Sequence, residues 1–335
     1  MFTRRFGISL ALTAFLGTAT FFALLSAERP PAAGWQARNV FIPKGSGYPE
    51  IGRILQDARV LRHPFVFRTL VLATATGRHL QSGEYSFPAP PSAFEVWRKL
   101  VRGEVALYNV TIPEGSNIRD IARILGDSEL ADPGAFLAAA TSREVAVRLD
   151  IPGDTAEGFL FPDTYVLVKY MSEEEIIGVM VRQFRRRFTP EMEEKGRQAG
   201  FSLKQIVTIA SIIEKETGVR EEKPLVSAVI RRRLALGMPL QMDPTVIYGL
   251  RKFGKNLTRR DLRTPSPYNT YMKRGLPPGP ITNPGLPSLD AAINPADADY
   301  LYFVSRNDGS HEFTRTLRDH NQAVAAYRKT ASAPN

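Results

Sequence analysis

The pattern opens with an uncharged run of 20 residues, Phe6 to Leu25, FGISLALTAFLGTATFFALL. As a helix it is about 30 Å long, the thickness of a bilayer core, and it predicts a transmembrane span. Residues 26–38 are rich in Pro and Ala and read as a linker. An internal repeat follows: FIPKGSGYPEIGRIL (41–55) matches TIPEGSNIRDIARIL (111–125) at 8 of 15 positions. Each copy predicts a strand end, a Pro-x-Gly-Ser turn and a helix, with Ile118, Ile121, Ile124 and Leu125 at helical spacing. Ser46 and Ser116 are placed to cap these helices, with Glu50 and Asp120 near the positive helix ends. SAFE (92–95) predicts a capping box for a helix through Leu100.

Beyond about residue 130 the pattern is mainly helical. SEEE (172–175) predicts a helix to about Phe188, Ser202 another to about Thr217, and 222–236 a third. The runs Arg185–Arg187 and Arg231–Arg233 read as solvated faces. Asp243-Pro244 reads as an N-cap with Pro at the first helical position. Residues 264–287 hold seven prolines and no helical period, which predicts a stiff aromatic loop. Tyr300–Val304 and His311–Phe313 predict a hairpin around Asn307-Asp308-Gly309, followed by an amphipathic helix from Thr316 to about Tyr327. The fold class expected is α+β: a small α/β subdomain over 39–105, a mainly helical domain with a small hairpin over 106–329, and a tail at 330–335.

Arg4 and Arg5 precede the apolar run, and the positive-inside rule keeps residues 1–5 cytoplasmic. The competing reading is a cleaved signal peptide. Leu25 is large for a −3 position and the run is longer than an ordinary h-region, which favours an anchor in the cytoplasmic membrane. The rest of the chain is then expected in the periplasm. This placement changes the meaning of the net charge of +10. Outside the cytoplasm a nucleic-acid partner is not expected, and anionic lipid or an anionic wall polymer fits better. The chain has no cysteine, which excludes disulfides, thiolate metal sites and a cysteine nucleophile. Its four histidines, His63, His79, His311 and His320, do not make a histidine-rich metal centre.

The sharpest chemical candidate is the helix QIVTIASIIEKETG (205–218). At 100° per residue Glu214 lies within about 40° of Val207 and Ala210 and projects from the apolar face. Glu216, about 200° further round, is expected in solvent. A carboxyl on an apolar face loses hydration and its pKa is expected to rise, as suits a general acid. The alternative is a helix-end glutamate that reaches water or pairs with a base. EGFLFPDTY (157–165) sets Phe159, Phe161 and Tyr165 among Glu157, Asp163 and Thr164. It reads equally as a grip for sugar rings and as a buried strand ending in a turn. LQMDPTVIYG (240–249) and TPSPYNTYMKRGLPPGPITNPG (264–285) are further cleft candidates.

These segments, with YLYFVSRNDGSHEFTRTLRDHN and the single N-terminal span, resemble the YceG-like family, the endolytic murein transglycosylases. The resemblance runs over about 39–328 in the family's motif order. It implies a lysin-motif-like subdomain over 39–105 and a catalytic domain over 106–329. It implies cleavage between N-acetylmuramic acid and N-acetylglucosamine inside nascent glycan strands, leaving a 1,6-anhydro end and limiting strand length. It implies no cofactor and no metal, and places the enzyme beside peptidoglycan synthases of the division or elongation machinery. By resemblance the catalytic glutamate is Glu214. Glu157, Phe161, Asp163, Tyr165, Ser211, Gln241, Asp243, Thr245, Tyr248, Tyr268, Asn269, Thr270, Tyr271, His311, Phe313 and His320 carry over as substrate-binding. Two alternatives stay open: a hydrolytic muramidase in which Glu157, Asp163 or Asp243 activates water, and a non-catalytic glycan-binding scaffold.

Overall fold

The computed structural model describes residues 29–331. The expected anchor over 6–25 and the tail before it lie outside the described residues. Among the described residues no helix is long and apolar enough to cross a membrane. The architecture is α+β, mostly helical with small sheets. Two compact units divide it: the described residues up to Tyr108 together with Val166–Tyr170, and Asn109–Tyr165 together with the described residues from Met171 onward.

In the first unit β1 (Arg38–Ile42) leads to α1 (Tyr48–Asp57) and α2 (Pro64–Ala73), then β2 (Gly83–Phe87) and α3 (Ala93–Arg102). β1 and β2 are antiparallel, with Val40 opposite Tyr85. Alternation along β1 turns Val40 and Ile42 inward onto Ile51, Leu55, Phe67 and Leu100. Each such side chain contributes about 1.5–3 kcal/mol on burial. Ser92 and Glu95 form the expected capping box.

The chain continues through β3 (Tyr108–Thr111) into α4 (Ile118–Asp127), α5 (Pro133–Ala140) and α6 (Arg143–Arg148), and β4 (Thr164–Leu167) pairs with β3. The repeat holds as two strand–turn–helix passages, but the caps sit one residue later than the serines. Gly47 caps α1 with no side-chain bond. Asn117 caps α4, accepting from the N–H groups of Arg119 and Asp120, while Asp120 completes a capping box. Ser116 instead donates its hydroxyl to the Pro113 carbonyl at 2.7 Å, closing the turn.

The second unit is assembled around one helix. α7 (Glu173–Arg187) and α8 (Pro190–Gln198) precede α9 (Leu203–Glu216), which is followed by α10 (Lys223–Ala235), α11 (Asp243–Leu250) and α12 (Leu286–Ile293). A hairpin of β5 (Tyr302–Ser305) and β6 (His311–Thr314), with Phe303 opposite Phe313, leads to α13 (Leu317–Ala331). Ser172 and Ser202 cap α7 and α9 as expected. The cap of α11 is Met242, one residue before the expected Asp243, whose carboxylate is held by the Tyr271 hydroxyl.

Every residue of α9 from Ile206 to Ile213 is buried, and α8, α10, α11 and α12 pack around it. A helix apolar on all sides belongs in the centre of a domain. Its polar residues are satisfied locally: Thr208 donates to the Lys204 carbonyl and Ser211 to the Thr208 carbonyl, each at 2.7 Å. Of the arginine run of α10, Arg232 is exposed as expected, while Arg231 and Arg233 turn inward. Arg233 is buried and donates Nε to the Leu301 carbonyl at 2.8 Å. Arg231 donates to the Ala292 carbonyl at 2.6 Å and lies over the Phe201 ring at 4.4 Å. These long side chains tie α10 to neighbouring segments through backbone carbonyls.

Candidate active site

Glu214 stands in the last turn of α9, where the helix meets the N-terminal ends of α10 and α12. Its Oε2 receives three donors: the Ser288 hydroxyl at 2.6 Å, the Gly285 N–H at 3.1 Å and the Lys223 ammonium at 3.2 Å. Lys223 also donates to Ser288 Oγ at 2.8 Å, closing a triangle. The Lys223 and Glu214 side chains are 5% and 8% exposed, so this is a buried ion pair. Gly285 is the N-cap of α12, and the carboxylate therefore also meets the positive end of that helix. Among the described residues no bond is made to Oε1. Of the two sequence alternatives for a helix-end glutamate, the structure has pairing with a base, on an otherwise apolar face.

A second carboxyl faces this one. Glu114, from the turn before α4, lies against Gly285 so closely that a Cβ built on that glycine would stand 2.0 Å from Glu114 Oε1. Burial, and then the charge of Glu214, push the Glu114 carboxyl above its ordinary range, while Lys223 and Arg220 pull it back. Glu114 lines a cavity of about 650 Å³ together with Phe161, Asp163, Arg187, Arg220 and Leu286. The Arg187 guanidinium sits 5.5 Å over the Phe161 ring. Asp163 is held by Gln183 at 2.7 Å.

Asn283 joins this region to Glu157. Its Oδ1 accepts from the N–H groups of Gly158 and Leu160, each at 2.9 Å. Its Nδ2 donates to the Ser116 carbonyl at 2.9 Å and to Glu157 Oε1 at 3.2 Å. The backbones of Asn283 and the 115–116 turn pair as well, Gly115 N–H to Asn283 O at 3.1 Å. Gly158 has φ +89, and a Cβ there would come within 2.5 Å of Pro280 and 2.7 Å of Val207, so only glycine lets the strap approach α9. Glu157 is buried and also accepts from the Ile118 N–H and, at 3.1 Å, the Tyr248 hydroxyl. Burial dominates and its carboxyl is pushed up to about 8.

The sequence candidates thus divide. Phe161 and Asp163 line the largest of these cavities, beside Glu114. Glu157, Tyr248 and Tyr268 line a second one of about 240 Å³, where the two tyrosine rings lie 4.9 Å apart. Gln241, Asp243, Tyr271 and His320 line a third of about 380 Å³. Tyr165 is in the core, its hydroxyl on the Phe161 carbonyl. Ser211 Oγ is buried and accepts the Ile281 N–H at 3.1 Å. Thr245 and Thr270 are buried and bond each other at 2.9 Å. Asn269 is buried and donates to the carbonyls of Leu262 and Thr264. His311 is bound to Glu222, with its Nδ1 2.7 Å from Oε2, and Phe313 packs with Tyr300 and Phe303.

Glu216 is a correction. The expectation of solvent assumed a two-faced helix, and α9 has no water-facing side along its middle. The side chain lines the third cavity and its Oε1 is buried. Glu114, Lys223, Asn283, Gly285 and Ser288 were not singled out in the sequence. For Glu114 a signal existed: it reverses the charge of Lys44 at an otherwise matched position of the repeat. Lys223 and Ser288 carry none, being brought to Glu214 by the packing of α10 and α12. Among the described residues no group of three or more His, Asp or Glu side chains is arranged to hold a metal.

A buried central helix ending in a carboxylate, beside a second carboxyl that lines an open cavity, defines a protein equipped for acid–base chemistry on a bound substrate. The chain belongs to the YceG-like family, whose model matches residues 40–326. A Bacillus subtilis (strain 168) protein named endolytic murein transglycosylase is 31% identical over 306 residues, covering 86% of this chain and 84% of that one. A protein of the same name from Streptococcus pneumoniae serotype 2 is 28% identical over 320 residues. That match covers 86% of this chain and 58% of the pneumococcal one. The crystal structure of a yceG-like protein from Listeria monocytogenes superposes with a TM-score of 0.60 at 31% identity, covering 86% of this chain and 99% of that one.

Proposed function

We propose that this protein is an endolytic peptidoglycan lytic transglycosylase with Glu214 as its acid and base. The observation that carries the assignment is the one-sided bonding of Glu214: three donors hold Oε2, and Oε1 is left for a reacting group. A carboxyl so oriented meets the positional demand of general catalysis. The names of the relatives supply the substrate class.

Glu214 protonates the glycosidic oxygen as the bond from C1 of N-acetylmuramic acid breaks. The C6 hydroxyl of the same sugar attacks C1, and its proton returns to the Glu214 carboxylate. The product is a 1,6-anhydro end, and no water is consumed. An internal nucleophile gains from proximity, so one carboxyl suffices where a hydrolase ordinarily uses two. Glu114 stands where a negative charge would stabilise the oxocarbenium-like state. It is also a second carboxyl that could activate water, so the product decides between lyase and muramidase.

In this reading residues 6–25 anchor the chain in the cytoplasmic membrane, the first unit is a lysin-motif-like glycan-binding subdomain, and the site works in the periplasm beside peptidoglycan synthases. The test is mass spectrometry of uncrosslinked glycan strands after treatment with the full chain in detergent. Ends about 18 Da lighter than hydrolytic ends are expected, and Glu214→Gln is expected to abolish them while remaining folded. Full-mass reducing ends would replace the lyase by a muramidase, and an active Glu214→Gln would remove Glu214 from the chemistry.

A further inference from the structure

The helix α2 is apolar on two opposite sides, yet only one of them is covered. Phe67, Leu70 and Val71 are buried in the first unit. At 100° per residue Phe65 and Leu72 lie within about 20° of each other on the other side, and they are 76% and 57% exposed. A helix apolar all round belongs in an apolar medium, and this one meets it on one side alone. Its surroundings are basic. From Ala58 to Gly83 the chain holds four arginines, Arg59, Arg62, Arg68 and Arg78, and no Asp or Glu. All four are exposed, and none makes an ion pair among the described residues. Over residues 29–108 as a whole, 11 Arg and Lys stand against five Asp and Glu.

The apolar run of the N-terminus ends at Leu25, and Arg29 is already fastened to the first unit. Its guanidinium donates to the Pro90 carbonyl at 2.9 Å and to Glu95 Oε1 at 2.8 Å. Four residue steps reach at most about 14 Å. With residues 6–25 across the cytoplasmic membrane, as in the function proposed above, the first unit is therefore held against the bilayer surface. Glu95 belongs to α3, which packs on α2. Two residues on, Trp97 donates Nε1 to Thr76 Oγ1 at 2.8 Å, just past the end of α2. One side chain thus links the seat of Arg29 to the Leu72 end of α2. Trp97 is half-buried beside Phe94, with ring centroids 5.3 Å apart, and the chain's other tryptophan, Trp35, is half-buried in the same unit. Such rings suit the headgroup level of a bilayer.

We propose that α2 is a membrane-docking helix, which sinks Phe65 and Leu72 into the lipid surface and sets Arg68 and the flanking arginines on anionic headgroups. The inference rests on the proposed anchor for proximity alone, and adds a second lipid contact that fixes which side of the first unit faces the bilayer. A helix lying in the interface buries its apolar side about 5–10 Å deep and keeps its basic groups at the headgroups. Each arginine at an anionic surface strengthens the hold about fivefold. Long arginine stems let the charge stay in the headgroup layer while the helix goes deeper.

The chain has no cysteine, so one introduced cysteine carries one nitroxide label. The experiment places the full chain in vesicles of phosphatidylcholine with about a third phosphatidylglycerol. A label at Thr69→Cys, between Phe65 and Leu72, reports the docking face, and a label at Phe15→Cys reports the apolar run. Oxygen concentrates in lipid, and is expected to collide with the Thr69→Cys label about fivefold more often than a water-soluble nickel chelate does. Adding Phe65→Glu and Leu72→Glu, both at exposed positions, is expected to reverse that ratio at an unchanged melting temperature. Pure phosphatidylcholine is expected to lower it several-fold. A Thr69→Cys label in water with Phe15→Cys in lipid would overturn the docking and keep the anchor. Thr69→Cys in lipid with Phe15→Cys in water would keep the docking and sink the anchor. A label hidden from both oxygen and nickel would mean that protein covers the face, and would overturn the proposal. So would a ratio that the two glutamates leave unreversed, or one equal in both lipids. If the glutamate variant does not fold, the label on the native face and the change of lipid decide.

Discussion

The carboxyls of Glu114 and Glu214 meet across Gly285, which donates its N–H to one and has no room for a side chain beside the other. Each therefore works in the field of a like charge, with Lys223 nearby as counter-charge. Glu114→Gln keeps the shape and removes that charge. It is expected to lower kcat by about a hundredfold, the low end of the range for positioned acid–base groups. The melting temperature should hold or rise, because a like-charge pair has been relieved. An unchanged kcat would make Glu114 a bystander.

Among the described residues Lys223 is the only cation bonded to Glu214, and both side chains are buried. Removing one partner of a buried pair costs about 3–5 kcal/mol, because the other charge is left stranded. Lys223→Met is expected to destabilise by this amount in chemical denaturation. Combined with Glu214→Gln it should cost much less than the two single changes summed. Simple additivity would show that the bridge has no energetic weight.

Asn283 makes four side-chain bonds to two segments, the turn at 116 and residues 157–160. Asn283→Ala would leave two buried N–H groups, of Gly158 and Leu160, without partners, at a cost of about 3 kcal/mol. Asn283→Asp is expected to be worse, since a carboxylate would face Glu157 and the Ser116 carbonyl. Equilibrium unfolding compares the two, and equal stability of Asp and native Asn would contradict the network.

Glu157 and Glu216 are each pushed from the ordinary 4.5 up to about 8 by burial. Both hold protons in the folded chain at pH values where the unfolded chain has released them. The folded state then binds more protons, so stability falls as pH rises from about 4.5 toward about 8. Glu157→Gln and Glu216→Gln are each expected to flatten this slope in melting temperatures taken across that window. A slope identical to that of the unsubstituted chain would show that these carboxyls ionise freely.

Local rules were legible in the chain, because they act over a few residues. Ser92 with Glu95, Ser172 with Glu175 and Ser202 with Gln205 announce their helices, since a cap and its partner lie within one turn. The repeat announces two strand–turn–helix passages, and the spacing of Val207, Ala210 and Glu214 places the glutamate on an apolar face. The cap position in the repeat was misplaced because Asn117 competes successfully with Ser116, whose hydroxyl the turn uses instead.

What the chain alone determined is therefore the class of fold, the helix that bears Glu214, and the motifs that resemble a family. What only the tertiary structure decided is the company Glu214 keeps. Ser288 and Glu114 are remote in sequence, Lys223 begins the next helix, and all three meet it only when α10, α12 and the 113–117 turn pack around one end of α9. The same packing half-buries Glu216 and hides its Oε1, where helical periodicity assigns the residue to water. Periodicity describes the sides of a single helix, whereas burial depends on how many neighbours surround it, and α9 is enclosed on every side from Ile206 to Ile213.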